Sequence, residues 1–252
     1  MKTAWYLGHT ANDIADRVIL VGDPDRIDRI AAQMDAPRFL PVRRGLRTVT
    51  GRHGGTPVTA VSFGMGAPIA TVVLHELAAL GASSFIRIGT AMYFPPAEAG
   101  VFTLSKTVFS HEGTSISYVD DPNAQRACAS LNAAARTVIA DAGEKLVEGK
   151  FASFDAFYRD MFPLEPEREA PIAAQLGRLE VQGVIAADME TSALVNAAHA
   201  LGVSFTSLCV GTVDGRTRQK LDTDTMAERE TALFACALAA LTRHSAKTRE
   251  PA

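Results

Sequence analysis

The stretch Arg17-Val18-Ile19-Leu20-Val21-Gly22-Asp23-Pro24-Asp25-Arg26 limits the choice of fold more than any other in the chain. Its first half is apolar and β-branched and reads as a buried strand. The pattern breaks at Gly22 and restarts with Pro24 at the first position of a helix expected to run to about Met34, with Asp23 placed to cap it. Pro24 loses nothing there, because first-turn N–H groups have no helical partner anyway. A strand that turns through glycine into a helix N-terminus leaves free amides and a positive dipole end beside it. Arg26, in the first turn, adds a forked, permanently charged donor set suited to phosphate. Read alone, these residues fit an anion site or a plain junction with two surface charges equally well.

The remaining chain is ample for one large α/β domain, expected to span 1–252. Apolar residues at 47% and charged residues at 21% are ordinary for a globular protein. A net charge of −3 gives no footprint for nucleic acid or an anionic membrane. Cys128, Cys209 and Cys236 lie far apart, in apolar surroundings and without metal-ligand spacing. They read as buried thiols in a reducing compartment, and no metal site is expected. Residues 1–6 lack the apolar core of a signal peptide, and the run from Ala232 to Leu241 is too short to span a bilayer. A soluble, cytoplasmic protein is expected.

Taken in order, residues 39–50 read as an extended segment in which Arg43, Arg44 and Arg47, with Arg38 just before, protect a sheet edge by charge. Residues 57–63 read as a strand that ends in Gly64-Met65-Gly66 and enters a helix to about Leu80. No third glycine stands near Ile69, so the dinucleotide fingerprint is incomplete. Ser84 to Ile88 is a strand stopped by Gly89-Thr90, and Arg87 interrupts its apolar run. A charge there is costly unless it is paired or meets an anion. Further strands are expected at 101–109, 183–187 and 203–210, and helices at 123–142, from Asp188 to about Leu201, and from Asp222 to about His244. Residues 163–171, rich in proline and acid, read as a surface loop. Several strands follow one another directly, which favours a mixed sheet over a purely parallel one.

Four strand ends carry polar groups at sharp turns: Gly22 to Arg26, Arg87 to Thr90, Met189-Glu190 and Asp214 to Arg216. The segments Leu20 to Arg26, Arg87-Ile88-Gly89-Thr90 and Ala187 to Leu194, with Phe157-Tyr158 and the strand at 57–66, resemble the nucleoside phosphorylase family that contains uridine phosphorylase and the hexameric purine nucleoside phosphorylases. The resemblance runs in order along nearly the whole chain. It implies an α/β fold with a mixed central β-sheet flanked by helices. It also implies a reaction: orthophosphate attacks the anomeric carbon of a nucleoside, releasing the base and ribose or deoxyribose 1-phosphate.

By the same resemblance Gly22, Arg26, Arg87 and Thr90 are phosphate ligands, and Arg44 is an arginine lent to a neighbouring subunit. Glu190 takes hydrogen bonds from the ribose 2′- and 3′-hydroxyls beside the Met189 backbone, Met65 touches the sugar, and Phe157 packs on the base. The chemistry needs such a set, because phosphate must be held with its charge matched beside a ribosyl centre that becomes an oxocarbenium ion. Each residue also has a plain reading: Glu190 as an acid in a helix's first turn, Phe157 and Met65 as core, Arg87 as a paired structural charge. Orthophosphate is the only co-substrate implied, with no cofactor. The implied assembly is a hexamer of three dimers, the dimer being the smallest active unit.

Departures concern the base. Uridine phosphorylases read uracil with a glutamine and an arginine where this chain has Met161 and Pro163. Asp214 resembles the aspartate with which purine phosphorylases protonate the leaving purine, while Arg216-Thr217 with Gln219 is similar to the uridine branch. The balance favours a purine nucleoside, with uridine as the alternative. Tyr6 stands where relatives lend a histidine to the ribose 5′-hydroxyl, with His9 three residues on, and Met92 stands where they have a small residue. Two rivals share the fold: a nucleosidase, which uses water, and a binding protein without catalysis.

Overall fold

The computed structural model describes residues 2–244. Strand β1 (Arg17–Val21) leads to α1 (Arg26–Ala31), then to β2 (Asp35–Phe39), β3 (Thr48–His53) and β4 (Thr56–Ser62). Helix α2 (Ala67–Ala79), β5 (Ser84–Tyr93), β6 (Phe102–His111), α3 (Ala129–Asp141) and β7 (Leu146–Phe154) follow. The chain continues through α4 (Phe157–Asp160), α5 (Pro166–Val181), β8 (Val184–Asp188), α6 (Thr191–Leu201), β9 (Ser204–Asp214) and α7 (Thr223–Arg243).

Among the described residues the nine strands form one sheet in the order β2-β3-β4-β1-β5-β8-β7-β6-β9. Because β9 also pairs with β5, strands β5, β8, β7, β6 and β9 close on themselves. The sheet is mixed, as expected: β1 runs parallel to β4 and β5, whereas β8 and β6 meet β5 and β9 antiparallel. Side chains alternate across β1. Ile19 and Val21 join the core under α1, α3 and α7, and Val18 and Leu20 join the core under α2 and α6. A strand buried on both faces needs this unbroken apolar run. Among the described residues no helix is long and apolar enough to cross a membrane.

Several boundaries differ from expectation, each for a local reason. Helix α1 has six residues and begins at Arg26, not Pro24. Asp23 serves the turn before it, its Oδ1 accepting from Asp25 N at 2.9 Å. The arginine-rich segment splits into the edge hairpin β2–β3, and Arg44 sits in its loop with φ +53°. Strand β5 does not stop at Gly89-Thr90 but runs on to Tyr93. Gly89 is instead a notch: a Cβ there would meet the Arg87 guanidinium at 3.3 Å. Helix α3 starts at Ala129, because Asn123 is used as an acceptor, its Oδ1 taking the Ser110 amide at 2.8 Å.

The expected loop at 163–171 is largely helical. Pro166 begins α5 and Pro171 lies inside it. Pro171 is on the exposed face, where water can satisfy the carbonyl its ring leaves free, while Ile172, Leu176 and Leu179 fix the helix by their buried spacing. Helix α6 starts at Thr191, and Gly202 ends it in the left-handed conformation with φ +66°. Asp222 caps α7, its side chain accepting from Thr225 N at 2.9 Å.

Candidate active site

The carboxyl ends of β1, β5, β8 and β9 converge on a cavity of about 600 Å³. Ligands of open α/β sheets collect at such ends. Gly22 is required for the closure of one wall: a Cβ there would lie 2.9 Å from the Gly64 carbonyl oxygen.

Arg87 is the electrostatic centre. It is 5% exposed. Its Nη1 lies 2.9 Å from Asp188 Oδ2 and its Nη2 2.5 Å from Glu190 Oε2. Nη1 also donates to Ser207 Oγ at 3.2 Å and Cys209 Sγ at 3.0 Å, while Nε is buried without a partner. Burial alone would disfavour its charge, but Asp188, Cys209 and Glu190 outweigh that and hold its pKa above the ordinary value.

Glu190 links three elements. It precedes α6, its Oε2 meets Arg87 of β5, and its Oε1 accepts from Gly66 N at 2.8 Å at the start of α2. Burial raises its pKa, and the neighbouring Asp188 raises it further against the opposing pull of Arg87. Asp188 takes the Ser153 hydroxyl at 2.6 Å and the amides of Glu190 and Thr191 at 3.2 and 3.1 Å. Sequence reasoning used Asp188 only as a helix start. Its role becomes legible once β8 is known to end there, with Arg87 on the strand beside it.

Arg26 lines the cavity but is paired, its Nη2 lying 2.6 Å from Oε1 of the buried Glu230 on α7. Arg29 reaches the other oxygen of the same carboxylate. Gly22, Thr90, Met65, Met189 and Phe157 line the cavity with Arg26. Met65 is 82% exposed, so the plain reading of it as core does not hold. The far end is apolar: Met92 and Met161 are buried there in the cluster that Phe157 and Val213 pack against. Met92 pairs in register with Ala187 and Val213. Lys220, which sequence reasoning passed over, enters this end through a bridge to Val213, with its Nζ 5.2 Å from the Phe162 ring.

Four expected site residues lie elsewhere. Asp214 and Arg216 are outside the cavity lining. Asp214 turns into its own loop, accepting from the amides of Arg216 at 2.7 Å and Thr217 at 2.9 Å. Burial would raise its pKa, but these amides and the Tyr93 hydroxyl outweigh that and lower it. It is therefore ionised at neutral pH and not poised to give a proton. Arg216 Nε donates to Glu180 at 2.9 Å. Tyr6 and Arg44 line a separate surface pocket beside Trp5, the guanidinium 4.7 Å above the Tyr6 ring.

The cavity thus has a charged end built on arginines and carboxylates and an apolar end with one cation, a shape for a ligand that joins an anion, hydroxyl groups and a flat ring. Residues 16–243 match the family model described as the phosphorylase superfamily, and the chain belongs to that superfamily. It is 34% identical over 155 residues to a uridine phosphorylase of Thermococcus kodakarensis, a match covering 61% of this chain and 56% of that one. It is 29% identical over 235 residues to uridine phosphorylase of Escherichia coli, covering 90% and 92%. A guanosine phosphorylase of Halorubrum lacusprofundi is 32% identical over 153 residues, covering 59% and 62%. The solved structure of uridine phosphorylase from Vibrio fischeri superposes with a TM-score of 0.85 at 26% identity, covering 96% of this chain and 98% of that one.

Proposed function

We propose that the protein is a nucleoside phosphorylase, a pentosyltransferase that converts a nucleoside and orthophosphate to the free base and (deoxy)ribose 1-phosphate. The observation that carries this reading is Arg87 held between Glu190 and Asp188 at the wall of a cavity that also contains Arg26 and Thr90. Phosphate takes the arginine side, where Arg87, Arg26, Thr90 and the Gly22 turn supply charge and donors. Glu190 accepts hydrogen bonds from the ribose hydroxyls beside Met189, and Met65 covers the sugar. A phosphate oxygen forms the bond to the anomeric carbon as the bond to the base breaks, and the electron pair leaves with the base. No cofactor takes part.

The base lies against Phe157, Met92 and Met161. Lys220 has three N–H donors and no acceptor, so it suits a base with a ring carbonyl and opposes one with an amino group in that place. We therefore place the substrate among the oxo bases: hypoxanthine, guanine or uracil. A preference for purine over uracil rests on Asp214 as acid and on Met161 and Pro163 in place of a uracil-reading pair; Asp214 does not line the cavity, whereas Met161 does. Arg44 and Tyr6, beside the exposed Trp5, are placed to serve a neighbouring subunit, so the active unit is at least a dimer, with a hexamer of three dimers as the proposed assembly. Free Cys128, Cys209 and Cys236 fit a reducing cytoplasm.

The ion pairs Arg26–Glu230 and Arg87–Glu190 favour one second reading, hydrolysis by water, since both arginines are already neutralised. Incubating inosine, guanosine, uridine and adenosine with and without phosphate separates the two. Phosphate-dependent release from the three oxo nucleosides, with adenosine slow, supports the proposal. Release without phosphate makes the protein a nucleosidase, and no release in either condition refutes both.

A further inference from the structure

A second cavity, of about 650 Å³, opens at the opposite end of the same strands. Ser83, just before β5, and Ser204 and Phe205 at the start of β9 line it. Thr90 to Met92 and Thr212-Val213, near the carboxyl ends of those strands, line the first cavity. At 3.3 Å per residue, Ser83 lies roughly 23–30 Å along β5 from residues 90–92.

Cys128 stands in this cavity as the residue preceding α3, with φ −64° and ψ 116°. The sequence suggests an inert buried thiol, but the side chain is only half-buried. Its Sγ lies 3.2 Å from Ser130 Oγ, and that oxygen lies 3.1 Å from Nε2 of His244. The other ring nitrogen of His244 lies 3.2 Å from Oγ of the fully buried Ser84. His244 is 4% exposed, so packing and Ser84 together fix the plane of the imidazole. This is the order of parts that activates a nucleophile: thiol, hydroxyl relay, imidazole, and a group that orients the imidazole.

Among the described residues every ionisable lining group other than the thiol is basic: Arg126 from the segment before α3, His199 from the end of α6 and His244 from the end of α7. Burial pushes the thiol's pKa up, but hydrogen bonds from His244, Ser130, Ser204 and the Leu131 amide outweigh it and bring it down to about 6. Burial instead raises Cys209 and pushes Cys236 up to about 11. The chain therefore carries two unreactive thiols as internal controls.

We propose that this cavity is a thiol-exchange site at which Cys128 takes up a small disulfide that bears carboxylates. The Cys128 thiolate attacks one sulfur, and a new S–S bond forms as the reagent's own S–S bond breaks. The second sulfur leaves as a thiolate with the electron pair, so no further oxidant is needed. The permanent charge of Arg126 favours an anionic reagent over a neutral one.

The test uses the whole protein and the dicarboxylate disulfide dithiobis(nitrobenzoate), which releases a coloured thiolate. One rapid equivalent per chain is expected at pH 7, mapped to Cys128 by peptide mass, with a rate that titrates near pH 6. Cys128→Ser removes the rapid equivalent, and His244→Gln moves the titration up towards the ordinary 9.0. Arg126→Gln slows this reagent several-fold but leaves neutral iodoacetamide unchanged. A rapid equivalent that survives Cys128→Ser, or a wild-type profile that rises only above pH 8, overturns the proposal.

Discussion

Arg87 and its two carboxylates are each nine-tenths buried or more, and none of the three is stable there without the others. Removing the cation leaves Glu190 and Asp188 facing each other without a counter-charge. Arg87→Met is expected to cost about 3–5 kcal/mol in a urea melt, as for other broken buried pairs, and to abolish turnover. Glu190→Gln keeps an acceptor for the Gly66 amide but loses charge towards Arg87. It is expected to fold and to lose on the order of 100-fold in kcat/KM. Lys220→Met tests the base reading: the advantage of inosine over adenosine should shrink while KM for phosphate holds. Asp214 makes a different kind of prediction. Its pKa is lowered in the folded chain, so its stabilisation is present above the ordinary 3.8 and is lost as pH falls through the folded value. Asp214→Asn should lower stability modestly near pH 7 and flatten the acid limb below about pH 4, where variant and parent converge.

The elements explain which residues were legible. Gly22, Met189 and Glu190 stand just past strand ends, Arg26 opens α1, and Arg87 and Thr90 are polar breaks within the apolar run of β5; the structure brings all six to one cavity. Asp188 and Lys220 were not legible, because their roles depend on pairing between distant strands rather than on local pattern. Asp214 and Arg216 lie outside the cavity lining because β9 carries on through Asp214 and the loop beyond it folds back on its own amides. Helix α5 was hidden by its prolines, which mark a loop locally but are tolerated at the first position and on an exposed face. Two element-scale substitutions follow. Gly22→Ala forces β1 away from Gly64, 2.9 Å from the new Cβ, and should weaken phosphate binding more than it lowers the melting temperature. Asp222→Ala removes the cap of α7 and should cost about 1 kcal/mol in a denaturant melt without changing KM for either substrate.

At the scale of the whole molecule, five strands closed into a ring fix the distances between sites that no local segment determines. The ring sets Met92, Ala187 and Val213 side by side as the floor of the base end, and it leaves Tyr6 and Arg44 on a separate outer face. If that face serves a neighbour, Arg44→Ala should raise KM for phosphate while the assembly seen by sedimentation is unchanged. Trp5→Glu should break the assembly and lose activity with it. Transfer of a pentosyl group between a base and phosphate is reversible where hydrolysis is not. The most direct measurement is therefore the reverse reaction, in which hypoxanthine, guanine or uracil is mixed with ribose 1-phosphate and the protein, and nucleoside and free phosphate are quantified together. Equal amounts of nucleoside and phosphate from at least one base are the predicted result. Failure to form nucleoside from any of them, while the protein still releases base from nucleosides, would rule out pentosyl transfer to phosphate.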